Sequence, residues 1–137
     1  MKYFIILIFL FLSINVLQAQ KSEINVIPKP LSVEYSDGQF KMDKNVRLFT
    51  GFQPEIFTAS KAFIDYFRFE VGFHIDIDRA KEDNIKYISL ALTDTAEWCG
   101  EEGYHLEIRE NGINIIAKEE AGLFYALQTL KQIFLYF

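Results

Sequence analysis

Tyr104-His105-Leu106-Glu107-Ile108-Arg109-Glu110-Asn111-Gly112-Ile113-Asn114-Ile115-Ile116-Ala117 is the stretch on which the fold turns. Its first half alternates. Tyr104, Leu106 and Ile108 fall on one side, while His105, Glu107 and Arg109 fall on the other, the pattern of a half-buried strand. Asn111-Gly112 reads as a tight turn because both residues tolerate positive φ. Ile113 to Ala117 then reads as the returning strand. Immediately afterwards Glu119-Glu120 places acid at the positive end of a helix. That helix runs through Leu123, Leu127, Leu130, Phe134 and Phe137, an apolar stripe flanked by Ala126 and Ile133. Phe124, Tyr125, Leu135 and Tyr136 lie off the stripe, where a surface helix is normally polar.

Working outward, Tyr87 to Leu92 reads as an evenly apolar strand, and Thr93 to Glu102 as a polar loop. Phe73 to Asp78 alternates strictly. Before it, Pro54 opens a helix at the position where a missing N–H costs nothing. Ile56, Ser60, Phe63, Phe67 and Val71 form its apolar stripe, widened by Phe57 and Ile64, with Lys61, Asp65 and Arg68 opposite. Gly72 suits its C-terminal end. Val46 to Phe49 reads as a strand. Leu31 to Tyr35, turning at Ser36-Asp37-Gly38 and returning at Gln39 to Met42, reads as a hairpin. Ile24 to Ile27 reads as a short strand ahead of Pro28 and Pro30, which force an extended connector. No internal repeat is visible. The pattern predicts an α+β domain: a mostly antiparallel mixed sheet of about six or seven strands, with two helices packed on one face.

The 137 residues are half apolar, 16% aromatic and 24% charged, which excludes a disordered chain. Fifteen of the apolar residues crowd into residues 1–19, behind Lys2. A positive start, the uninterrupted run Tyr3 to Leu12 and a small residue, Ala19, ahead of Gln20 make the order of an export signal. A spanning helix needs about 20 apolar residues, and Ser13 and Asn15 interrupt this run. The expected division is 1–19 as signal peptide and 20–137 as one domain, placed in a periplasm or secreted. Without Lys2 the chain keeps 13 basic against 19 acidic residues, a net charge of −6. A net-acidic chain with no basic cluster argues against nucleic acid as a partner. A lone Cys99 makes no internal disulfide, and no zinc-ligand spacing is present.

Five constellations carry possible chemistry. His74, Asp76 and Asp78 share one strand face at ~7 Å intervals, within reach of a common ion. Their alternation with Phe73, Ile75 and Ile77 makes a solvated strand face the simpler reading. His105, Glu107 and Arg109 have the same geometry and the same reading. Glu101-Glu102 and Glu119-Glu120 are adjacent carboxylates, which diverge on either a strand or a helix and cannot flank one bond. Cys99 beside Trp98 lacks a nearby histidine in sequence to activate it. No metalloprotease, phosphate-loop or nucleophile-elbow motif occurs. The residues alone therefore assign no catalytic, cofactor-binding or metal-binding position, and no cofactor.

Three segments carry a family resemblance. They are Glu102-Gly103-Tyr104-His105-Leu106-Glu107-Ile108, then Gly112-Ile113-Asn114-Ile115, then Ala121-Gly122-Leu123-Phe124-Tyr125-Ala126-Leu127-Gln128-Thr129-Leu130. Together with an opening Ile27-Pro28-Lys29-Pro30 and Gly38-Gln39-Phe40, they resemble the N-terminal domain of the family 20 β-N-acetylhexosaminidases, over about Ile24 to Phe134. Some other large glycosidases carry a related domain. The resemblance implies an α+β layer like a zinc-protease scaffold without the metal. It also implies catalysis by a following (β/α)8 barrel, where a Glu protonates the leaving oxygen and an Asp orients the substrate's own acetamido group. No position of this chain matches that Asp-Glu motif. The sequence ends at Phe137, where the linker to a barrel is expected. The implied protein is a non-catalytic domain of an exported enzyme that releases terminal N-acetylhexosamine from glycans, with its partner barrel covering the C-terminal helix. The competing reading is a free-standing secreted module that binds a protein or glycan. The DNA beyond the codon for Phe137 discriminates the two.

Overall fold

The computed structural model describes residues 24–136. The expected signal over residues 1–19, and Phe137 of the helix stripe, lie outside the described residues. Five strands and two helices follow one another as β1 (Arg47–Phe49), α1 (Pro54–Tyr66), β2 (Ile77–Asp78), β3 (Tyr87–Leu92), β4 (Tyr104–Arg109), β5 (Gly112–Ala117) and α2 (Glu120–Tyr136). A π-helical turn, Phe67–Val71, extends α1, and a 3-10 turn, Glu97–Cys99, interrupts the loop before β4.

The strands form one sheet in the order β2-β1-β3-β5-β4. Three of its four pairings are parallel and only β4–β5 is antiparallel. The sheet is therefore mixed but mostly parallel, with five strands among the described residues, against the expected six or seven, mostly antiparallel. Direction is set by the connections. The α1 crossover returns the chain to the starting end of the sheet, so β2 runs parallel to β1. The loop after β3 brings the chain down as β4, and the short hairpin sends β5 up again beside β3. Alternation within a strand carries no information about any of this.

The core lies between the sheet and both helices. Leu48, Ile88, Leu90, Ile113, Ile115 and Ala117 face Ile56, Phe63 and Phe67 from the first helix and its extension, and Leu123, Ala126, Leu127 and Leu130 from the second. By register these sheet residues share one side, with Tyr104, Leu106 and Ile108 continuing it on β4. Thus both helices cover the same face. Gly112 belongs to the sheet rather than to the turn: it begins β5 opposite Arg109, and a Cβ there would come within 2.9 Å of the Tyr87 carbonyl oxygen. The turn residues are Glu110 and Asn111, and neither has positive φ.

Other departures have local causes. The π turn widens the helix, with Gly72 and Phe73 both donating N–H to the Phe67 carbonyl. One extra residue rotates the stripe by about 100°, which leaves Val71 exposed. Phe57, 100° from Ile56, is also exposed. Gly72 caps the end at φ 90°, as expected for glycine. Of Phe73 to Asp78, only Ile77–Asp78 is paired, because β1 offers a neighbour of three residues. The inward side is still right: Ile75 is fully buried and the Phe73 ring lies 5.3 Å from that of Phe67.

Neither the expected strand Ile24 to Ile27 nor the hairpin from Leu31 to Met42 forms. Residues 24–42 are instead an irregular arm. Val26 is buried, and Phe40 packs on Phe134 with ring centres 6.3 Å apart. Gln132 holds Ile27 at both polar groups: Ile27 N–H donates to Oε1 (3.0 Å), and Nε2 donates to the Ile27 carbonyl (2.9 Å). Leu31, Val33 and Tyr35 stay exposed. Alternation had suggested a strand, but these residues pair with none of the sheet's strands.

Candidate functional site

The first histidine–carboxylate group is dispersed by its neighbours. Asp76 is paired with the Arg47 guanidinium, and His74 Nε2 lies 3.7 Å from Asp76 Oδ1. Asp78 instead accepts a hydrogen bond from the Tyr87 hydroxyl (3.3 Å), which also receives the Glu82 N–H (2.9 Å). Arg47 supplies the charge that a cation would supply. Among the described residues no group of three or more His, Cys, Asp or Glu is placed to hold a metal ion.

Glu107 and Arg109, two apart on β4, form an ion pair, and Asn114 of the adjacent strand donates to Glu107 Oε2 (3.4 Å). The Arg109 hydrogen bond, and after it that of Asn114, holds the Glu107 carboxyl below its ordinary pKa. The same bond raises that of Arg109. His105 joins this row from the other end. The Trp98 indole stands edge-to-face with its ring, centres 6.1 Å apart. Sequence spacing found His105, Glu107 and Arg109. Asn114 was missed because only the β4–β5 register, Glu107 opposite Asn114, brings it in.

The acidic pairs Glu101-Glu102 and Glu119-Glu120 are exposed. Cys99 is half-buried and its thiol donates to the Ala96 carbonyl (3.0 Å). A polar depression beyond the C-terminal end of β3 is lined by Gln53, Glu55, Leu92, Thr93, Asp94 and Lys118. Gln53 bridges there to both polar groups of Leu92 (3.2 and 3.3 Å), so its amide closes the end of the strand.

What remains is a surface. Along the outer side of α2, Phe124, Tyr125 and Leu135 are 41%, 40% and 54% exposed, where a free helix is polar. The Phe124 and Tyr125 rings touch, with centres 5.8 Å apart.

Comparison with known proteins bears on the family. A family model described as glycosyl hydrolase family 20, domain 2, matches residues 23–135. A β-hexosaminidase of Porphyromonas gingivalis (strain ATCC BAA-308 / W83) is 32% identical over 110 residues, 80% of this chain and 14% of that protein. The solved β-N-acetylhexosaminidase of Streptomyces coelicolor A3(2) superposes with a TM-score of 0.69 at 27% identity, over 77% of this chain and 20% of that one. That of Bacteroides fragilis NCTC 9343 gives 0.61 at 25% identity, over 78% of this chain and 20% of that one. The chain thus spans a seventh to a fifth of the length of these relatives.

Proposed function

The chain belongs to glycosyl hydrolase family 20, whose domain 2 it matches over nearly all its described length, and we propose that it serves as the non-catalytic N-terminal domain of an exported β-N-acetylhexosaminidase. Such an enzyme hydrolyses terminal N-acetylhexosamine from glycans in a periplasm or outside the cell. Catalysis belongs to a (β/α)8 barrel, and the role of this domain is to brace it. The observation that carries the reading is the apolar outer side of α2. Phe124, Tyr125 and Leu135 are the docking groups, and a barrel wall removes them from water. The dispersal of the titratable groups supports the same division. Asp76 and Glu107 are each engaged by an arginine, so neither is free to serve as an acid or base facing a sugar.

The test compares two polypeptides: this chain alone, and this chain joined to a family 20 barrel. The first is expected to leave an aryl N-acetylglucosaminide uncleaved and the second to hydrolyse it. Hydroxyl-radical footprinting is expected to show Phe124 and Leu135 oxidised in the first and protected in the second. Turnover by the chain alone that disappears on changing Glu102 or Glu119 overturns the proposal, and equal oxidation in both polypeptides overturns the docking face.

A further inference from the structure

The sheet has a second face, turned away from the helices. By register it carries His105, Glu107 and Arg109 on β4, Gly112, Asn114 and Ile116 on β5, and Tyr87, Ser89 and Ala91 on β3. It is shallow at Ser89 and Ala91 on the central strand, and at Gly112 at the hairpin end, which have little or no side chain. Its rim is not. Trp98 is 65% exposed beside His105, and its edge-to-face contact leaves at least one indole face without an aromatic neighbour among the described residues. No core packing accounts for this tryptophan.

We propose that this face is a glycan-binding surface for neutral N-acetylated saccharides, formed by Trp98, His105, Ile116, Glu107 and Asn114. The chemistry of each part fits. A pyranose ring has an apolar C–H side and a polar hydroxyl rim, and an indole face supplies the large apolar surface for the first. Asn114 offers both amide donors and acceptors, and Glu107 offers acceptors, for the second. These two groups are already oriented by their mutual bond and by Arg109, so little side-chain freedom is lost on binding. Half-buried Ile116, opposite His105, gives an acetyl methyl an apolar seat.

Charge selects the class of ligand. Arg109 is neutralised by Glu107, and Arg47 by Asp76, on a chain of net charge −5. The guanidinium nearest this cluster is already paired with a carboxylate, which favours a neutral glycan over an anionic one. The choice of N-acetylated sugars rests on the hexosaminidase reading. Geometry adds that the surface lies opposite the helices, so it stays open when a barrel covers α2.

Trp98 is the sole tryptophan of the chain, so its emission reports this surface alone. The full chain is titrated with tri-N-acetylchitotriose, with maltotriose as the comparison. A saturable emission change and protection from acrylamide quenching are expected with chitotriose only. Asn114→Ala and Glu107→Gln are each expected to weaken binding about tenfold or more with unchanged far-UV dichroism. A silent Trp98, an equal response to maltotriose, or undiminished binding by both variants overturns the proposal. Hydrolysis by the barrel-linked polypeptide is measured in parallel. Activity with a silent Trp98 sinks this surface alone, and a chitotriose response without activity sinks the hexosaminidase reading alone.

Discussion

Gly122 and Gly103 are packed backbone to backbone: a Cβ on Gly122 would collide with the Gly103 carbonyl oxygen and come within 2.9 Å of the Ala117 Cβ. The first turn of α2 therefore rests directly on the entry to β4. Gly122→Ala sets two effects against each other. Alanine favours a helix by about 1 kcal/mol, while overpacking against a fixed backbone costs roughly 1–3 kcal/mol. Because the obstacle is a carbonyl of another element, the steric effect is expected to win. Urea unfolding is expected to show net destabilisation, and an unchanged or raised midpoint would mean the two elements can part freely.

Tyr104 and Thr129 clasp the same two elements further along, with hydroxyl oxygens 2.6 Å apart. Thr129 is 4% exposed, so Tyr104→Phe strands a buried hydroxyl. A loss of about 1 kcal/mol is expected from chemical denaturation. Thr129→Val added to Tyr104→Phe is expected to cost less than the two single losses together.

The outer side of α2 predicts behaviour in solution. The chain alone is expected to bind a hydrophobic dye or to self-associate. Phe124→Ser with Leu135→Ser is expected to suppress both without altering far-UV dichroism. A dye-silent monomer at high concentration would show that this side needs no cover.

Glu107 makes the β4–β5 face pH-dependent. Its folded pKa is depressed by Arg109 and Asn114. The contribution to stability is therefore present above the unfolded glutamate pKa of about 4.3 and is lost as pH falls through the folded value. Carboxyl-carbon NMR is expected to show Glu107 titrating below that value, and rising toward it in Arg109→Gln. The stability gap between the two proteins is expected to close in acid.

Calorimetric titration with zinc or calcium is expected to show only weak surface binding at His74, Asp76 and Asp78, because Arg47 and Tyr87 already occupy the carboxylates. A micromolar affinity abolished by Asp76→Asn would reverse that assignment.

Periodicity was informative wherever an element met the core. The runs Tyr87 to Leu92 and Tyr104 to Arg109, and the stripe Leu123, Leu127 and Leu130, were legible because one side of each is buried by its neighbours. Leu31 to Tyr35 misled for the converse reason: alternation states which side prefers burial, not whether a partner exists. Strand direction was illegible because it belongs to the connections, and the partly polar face of the sheet hid Asn114 until register placed it. The family motifs were legible as words, but their cause is spatial. Gly122 in one is small because the Gly103 carbonyl lies against it, and Gly103 in another because a Cβ there would collide with the Cys99 carbonyl.

The Gln132–Ile27 clasp has a consequence in time. It joins residues 105 apart, nearly the whole described chain. Closing so long a loop is entropically expensive and is favoured only once the closing surface exists. Of the described residues, those that form that surface are made late, since Gln132 and the Phe134 that receives Phe40 lie in the final turns of α2. The arm is therefore made well before α2 but ordered only with it. Until the C-terminal helix docks, residues 24–42 remain open to proteases and to whatever machinery carries the nascent chain.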